Sequence, residues 1–117
     1  FKVGEDDILT NLPKPVTICA DESCHISNDL ENLVGKYQMV NIKLDKTGGL
    51  TEAIKLVEKA KKLNFEIMVG CMVSTSMSIR PAYYLAQIAD FVDVDGPLLL
   101  KQDRKNGLNF SGENVTI

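Results

Sequence analysis

The stretch QMVNIKLDKTGGLTEAIKLVEKAKKL, Gln38 to Leu63, contains the two periods that decide the fold. Gln38 to Leu44 is a run of strand length, largely apolar. Gly48 and Gly49 then make a turn. From Leu50 to Leu63, the apolar residues Leu50, Ala53, Ile54, Val57 and Ala60 recur at helical spacing, with lysines and glutamates opposite, so this face is expected to pack on a sheet. The same strand-then-helix unit recurs on either side. Val16 to Ala20, after the turn LPKP, Phe65 to Cys71 and Phe91 to Val94 read as further strands. Asn28 to Val34 reads as a short helix stopped by Gly35, with Asn28 and Glu31 spaced like a capping box. Met77 to Ala89 reads as a helix with Pro81 in its first turns and Tyr84, Leu85 and Ile88 along one side. This alternation predicts an α/β fold around a parallel sheet. The tail NGLNFSGENVTI, with two turn signals and two short β-prone runs, reads as a hairpin or as a strand docked elsewhere.

The 117 residues, 44% hydrophobic and 25% charged, describe an ordinary globular chain with material for one core. A net charge of −3 gives no basic field, and the lysines of the central helix are interleaved with Glu52 and Glu58, so nucleic acid is not expected as a partner. No apolar stretch approaches the roughly 20 residues needed to cross a bilayer, and FKVGEDD lacks signal-peptide character. No membrane partner and a cytoplasmic location are the expectations. Cys19, Cys24 and Cys71 are an odd set without paired spacing, which signals neither a disulfide framework nor a zinc knuckle. Cys19, Cys24 and His25 fit no common zinc pattern and read as loop residues. The chain begins at Phe1 without an initiator methionine, from which an upstream part is expected.

Side chains alternate along a strand, so the polar residues in these runs can be assigned to a face. Thr17, Cys19 and Asp21 share one face of the first strand, opposite Val16, Ile18 and Ala20. Met39, Asn41 and Lys43 oppose Val40, Ile42 and Leu44; Phe91, Asp93 and Asp95 oppose Val92 and Val94. One face is aliphatic and suits a helical layer. The other carries charge where the strand ends, and a barrel would gather these charges at its C-terminal mouth. Asp21 stands out because no nearby positive charge obviously balances it. Lys43, inside an apolar run, reads either as a base near neutral pH or as the partner of an interior acid. Asp45 and Lys46, beyond the strand, read as solvated. Glu22 and the other acids following strands also fit helix caps or loop positions.

Four motifs carry a resemblance: ADES at Ala20 to Ser23, NIKLDKTGGL at Asn41 to Leu50, VGCM at Val69 to Met72, and DVDGP at Asp93 to Pro97. In this order, over nearly the whole chain, they resemble dipeptide epimerases of the enolase superfamily, mandelate racemase/muconate lactonizing enzyme-like, of the L-Ala-D/L-Glu type. The resemblance implies the C-terminal half of a (β/α)-barrel in residues 1–103, about the last four βα units. It implies a tail, 104–117, returning to a missing capping domain. Asp21 matches a carboxylate ligand of Mg2+ on the fifth barrel strand, and Lys43 the acid/base lysine on the sixth. Asp93 and Asp95 match an acidic pair that engages the ammonium group of a dipeptide substrate. Gly70, Cys71 and Met72 match a segment lining the substrate pocket.

The implied activity is a magnesium-dependent 1,1-proton transfer between two lysines through an enediolate. In that scheme a second metal carboxylate, within an EQP segment, precedes Phe1, and the other lysine lies further upstream. The isolated 117 residues are therefore not expected to turn over. Another superfamily member, such as a muconate cycloisomerase or an N-acylamino acid racemase, would share Asp21 and Lys43 but is not expected to carry DVDGP in this form. A flavodoxin-like receiver would show five strands, with its acidic pair after the first and its lysine after the last, unlike this chain. A non-catalytic half-barrel would be expected to form a homo-oligomer that covers its open strand edges.

Overall fold

A computed structural model describes residues 2–117. Four strands, β1 (Cys19–Ala20), β2 (Met39–Ile42), β3 (Glu66–Val69) and β4 (Phe91–Val92), form one parallel sheet in sequence order. The α/β expectation is met, and all four strands lie within the runs read from sequence, shortened at their ends. The helices are α1 (Leu44–Thr47), α2 (Leu50–Lys62) and α3 (Ser76–Ala86). A 3-10 helix at Ser27–Leu33 occupies the connection after β1. The tail forms the antiparallel hairpin β5 (Asn109–Ser111) and β6 (Asn114–Thr116), with Leu108 in the core and Phe110 and Val115 packed against it. No helix among the described residues is long and apolar enough to cross a membrane.

The core is the interface of sheet and helices. Ala20, Val40, Ile42, Ile67 and Val69 from the strands meet Ala53, Leu56, Val57 and Ala60 of α2 and Ile79, Ala82 and Leu85 of α3, all buried. The stripe on α2 is rotated from the sequence reading: Leu56 is enclosed, while Leu50 and Ile54 stand exposed. On α3, Leu85 faces inward as expected but Tyr84 is exposed, and the helix ends at Ala86, short of the exposed Ile88. Leu50, Ile54 and Tyr84 are exposed because a helix on a twisted sheet buries a narrower arc than its apolar residues span. The capping box also shifts. The backbone N–H groups of Ile26 and His25 donate to the carboxylate of Asp29, each at 2.9 Å, so Asp29 takes the role expected of Glu31.

Two chain reversals set where the site residues emerge. Gly48, at φ 73°, ends α1 after a single turn, a left-handed conformation that glycine takes without penalty. Asn64, at φ 61°, ends α2, and the Phe65 N–H returns to the Ala60 carbonyl at 3.0 Å to start β3.

The loop after β1 is tied down by Asp6, which is 2% exposed. Its carboxylate accepts from Ser23 Oγ at 3.0 Å, Tyr37 Oη at 2.9 Å and Lys36 Nζ at 3.0 Å. The Lys36 ammonium holds this carboxyl below its ordinary value of 3.8, against the opposing effect of burial. A depressed folded value means that the contribution is complete above the unfolded value and is lost as pH falls through the folded one. Asp6→Ala is therefore expected to cost about 1–3 kcal/mol at neutral pH, because the hydroxyl donors lose their acceptor. The gap from the parent should close on acidification. Urea denaturation at neutral and acid pH checks this, and a gap that widened in acid would refute it.

Candidate active site

The parallel register of β1 and β2 pairs Ala20 with Val40, which sets the next residues, Asp21 and Asn41, side by side. Alternation turns both to the same face as Lys43, two residues further on. Asn41 Nδ2 donates to Asp21 Oδ2 at 3.1 Å, and Lys43 Nζ lies 2.9 Å from the same oxygen. Asp21, the acid without an evident counter-charge in sequence, thus faces a lysine from the adjacent strand end. It also faces a second one. Lys46 Nζ lies 2.6 Å from Asp21 Oδ1, 2.7 Å from the Asp21 carbonyl oxygen and 3.0 Å from that of Asn41.

Lys46 corrects the sequence reading, which left it solvated: its side chain is 9% exposed. The single turn of α1 carries the chain back over the strand ends and lays the side chain across them. The available signal was its spacing, three residues past Lys43 and so on the same side of a helical turn. Asp45 is exposed, as expected. Asn41 was assigned to the polar face but given no role. It is 5% exposed in the middle of an apolar run, where a side-chain amide needs partners.

The electrostatics follow from this cluster. Burial pushes the Asp21 carboxyl up, but the ammonium groups of Lys46 and Lys43 outweigh it and hold the group below the usual carboxylate range. The hydrogen bond that Lys43 donates to Asp21 raises the pKa of Lys43, and partial burial opposes this. Of the two readings of Lys43, the structure shows the ion pair with an interior acid, and that pair favours the charged lysine. The Cys19 thiol is pushed up to about 11, chiefly by burial and secondarily by Asp21, so it stays protonated at neutral pH.

The register continues on the other side. The Gly70 N–H donates to the Ile42 carbonyl at 3.0 Å, which places Gly70 beside Lys43. A Cβ on Gly70 would stand 2.5 Å from Asn41 Oδ1, so the missing side chain is what makes room for the Asn41 amide. Among the described residues, Asn41 Oδ1 itself has no hydrogen-bond partner. Cys71 is half-buried and Met72 exposed; a Cβ on Gly96 would meet the Met72 carbonyl oxygen at 2.5 Å and Cys71 Sγ at 3.1 Å. The loops after β3 and β4 therefore touch. Asp93 and Asp95 are exposed at the end of β4, and both add to the upward shift of the Cys71 thiol, which burial dominates. Neither is in an ion pair among the described residues. Asp21, Lys43, Gly70, Cys71, Asp93 and Asp95 thus follow one another along the C-terminal ends of consecutive strands.

The donor set can be tested against a metal ion. The Asp21 carboxylate is a hard oxygen donor of the kind magnesium takes, with its side chain 30% exposed. It is a single donor: no group of three ligating His, Cys, Asp or Glu side chains gathers among the described residues. Cys19, Cys24 and Cys71 are free thiols.

The fold is that of an α/β protein with a parallel sheet, and the lysine–carboxylate pair stands at the carboxyl ends of its strands, where such sheets commonly bind ligands. The chain belongs to the enolase C-terminal domain-like family, whose description matches residues 5–108. It is 56% identical over 108 residues to an N-acetyl-D-glutamate racemase from a Pseudoalteromonas species, covering 92% of this chain and 34% of that protein. It is 49% identical over 107 residues to the L-Ala-D/L-Glu epimerase of Escherichia coli K12, covering 92% and 33%. An Agrobacterium tumefaciens enolase family member with homology to dipeptide epimerases, solved with sodium and L-Ala-L-Glu, superposes with a TM-score of 0.94 at 51% identity. That match covers 97% of this chain and 35% of that one. The chain spans about a third of the length of the curated relatives it matches.

Proposed function

We propose that this chain supplies the C-terminal part of the active site of a dipeptide epimerase of the L-Ala-D/L-Glu type. The observation that carries the reading is the Lys43 ammonium 2.9 Å from the Asp21 carboxylate at adjacent strand ends. Four parallel strands in sequence order support reading residues 1–103 as part of a (β/α)-barrel, and residues 104–117 are read as leading toward a capping domain.

A proton α to a carboxylate is very weakly acidic, and its removal places charge on the carboxylate oxygens. Lys43, as the free amine, takes the proton from one face of the α-carbon, and a protonated group on the opposite face gives one to the enediolate, inverting the centre. Lys43 works as a base only when its pairing with Asp21 is relieved, because that pairing is what raises its pKa. Asp21 is the residue that would hold magnesium, which when bound supplies Lewis-acid stabilisation of the developing charge. Asp93 and Asp95 offer two exposed carboxylates to the ammonium of a dipeptide's first residue, and Gly70, Cys71 and Met72 line the wall between them and Lys43. With one base and one metal carboxylate, the 117 residues alone are not expected to turn over.

A second reading, racemisation of N-acetylglutamate, is favoured by the relative of that name at 56% identity. The proton transfer is the same, but an acetylated amine carries no charge for the acidic pair to meet. The longest native chain carrying this sequence, incubated in deuterated water with L-Ala-L-Glu and separately with N-acetyl-D-glutamate, separates the two by α-deuterium incorporation. Exchange into the dipeptide is expected, and exchange into N-acetylglutamate alone would move the assignment to the racemase. Asp95→Ala should lower kcat/KM for the dipeptide by about 10- to 100-fold, the worth of a hydrogen bond to a charged group, and spare the blocked substrate. Equal losses on both would refute ammonium recognition.

A further inference from the structure

Lys46 is the most enclosed cation at the site, and the proposed proton transfer makes no use of it. Its three acceptors, Asp21 Oδ1 at 2.6 Å, the Asp21 carbonyl at 2.7 Å and the Asn41 carbonyl at 3.0 Å, engage all the protons an ammonium group can donate. None remains for a substrate. Two of the acceptors are backbone carbonyls, one at the end of each of two adjacent strands, so the side chain pins β1 to β2 as well as holding the carboxylate. From the other side Asn41 Nδ2 holds Oδ2 at 3.1 Å, in the room that the missing side chain of Gly70 leaves for that amide. A carboxylate gripped at both oxygens by groups fixed to one strand pair has its plane set before any ligand arrives.

We propose that Lys46 is a positioning residue that, by clamping Asp21 Oδ1 and the Asp21 and Asn41 carbonyls, fixes the plane of the carboxylate that would hold a cation. This rests on the epimerase reading for its kinetic consequence and on geometry alone for its effect on cation affinity. A buried group that orients a ligating carboxylate commonly carries about 10- to 100-fold of metal affinity or activity.

The test uses the longest native chain carrying this sequence, with Lys46→Met, which keeps an unbranched stem and removes the ammonium. Calorimetric titration with magnesium chloride should show affinity weaker by about 10- to 100-fold. At saturating magnesium, kcat for L-Ala-L-Glu should fall by a similar factor while KM stays within about threefold, since Lys46 touches no substrate. A folded Lys46→Met protein with the parent's magnesium affinity and kcat would overturn the proposal, because a merely structural lysine would move only the melting temperature. If Lys46→Met does not fold, Lys46→Arg decides. A guanidinium that still reaches Oδ1 should keep magnesium affinity within about threefold of the parent. A loss as large as that of Asp21→Asn would overturn the proposal. A parent that binds magnesium but leaves the dipeptide untouched would defeat the epimerase reading, and the calorimetric comparison would still decide the role of Lys46.

Discussion

Lys43→Ala is expected to lower epimerisation of L-Ala-L-Glu by about 100- to 10 000-fold, the range supplied by a positioned general acid or base. The fold should survive the change. Lys43 Nζ contributes one contact to Asp21, whose carboxylate keeps its bonds to Lys46 and Asn41. The decisive readout is α-proton exchange in deuterated water with each epimer separately. With one base on each face of the α-carbon, losing Lys43 should stop exchange from one epimer and leave it from the other. Retained exchange from both would remove Lys43 from the reaction. Loss from both, with intact folding, would mean that its removal disturbs the shared site rather than one proton transfer.

Asp21→Asn should have effects of similar size through two separable routes. Magnesium affinity should fall by more than about 100-fold, because loss of an outer partner alone costs about 10- to 100-fold and here a hard carboxylate oxygen itself is lost. Lys43 should also lose the main influence that raises its pKa. Burial pushes the same lysine downward, so without Asp21 its pKa is expected to fall from the parent's. The parent's ion pair is stable while Asp21 is ionised and Lys43 protonated. A fall in pH through the depressed Asp21 value, or a rise through the elevated Lys43 value, removes it. An NMR titration of the lysine side chains reads the second route without any metal, and calorimetry with magnesium chloride reads the first. An unchanged magnesium affinity would take Asp21 out of the ligand set, and an unmoved Lys43 titration would deny that the pair governs its charge.

The strand-and-helix alternation was legible because it depends on a one-dimensional pattern. β-branched runs bounded by turns become strands whatever they pair with, and the period of two sends Asp21, Asn41 and Lys43 to one face without any coordinates. Which arc of each helix is buried was less legible. Leu50, Ile54 and Tyr84 are apolar at helical spacing yet exposed, because burial depends on where the sheet lies beneath the helix. Hydropathy alone could not choose between Leu56 and Ile54.

The amino-acid sequence by itself determined the α/β class, the order of the elements, the face on which charge collects and the residues, Asp21, Lys43, Asp93 and Asp95, at the strand ends. Those properties are local, set by side-chain alternation and by where turn residues interrupt the chain. Only the tertiary structure decided which charges meet. Lys46 reads as a solvated residue beside an acid, and becomes the clamp on Asp21 because one turn of α1 folds it back over two strand ends held in register. Lys43 reads as a candidate base, and its raised pKa comes from a carboxylate more than twenty residues away in sequence. Pairings of this kind depend on separations in space, which the strand register and the helix turn fix together and neither element specifies alone.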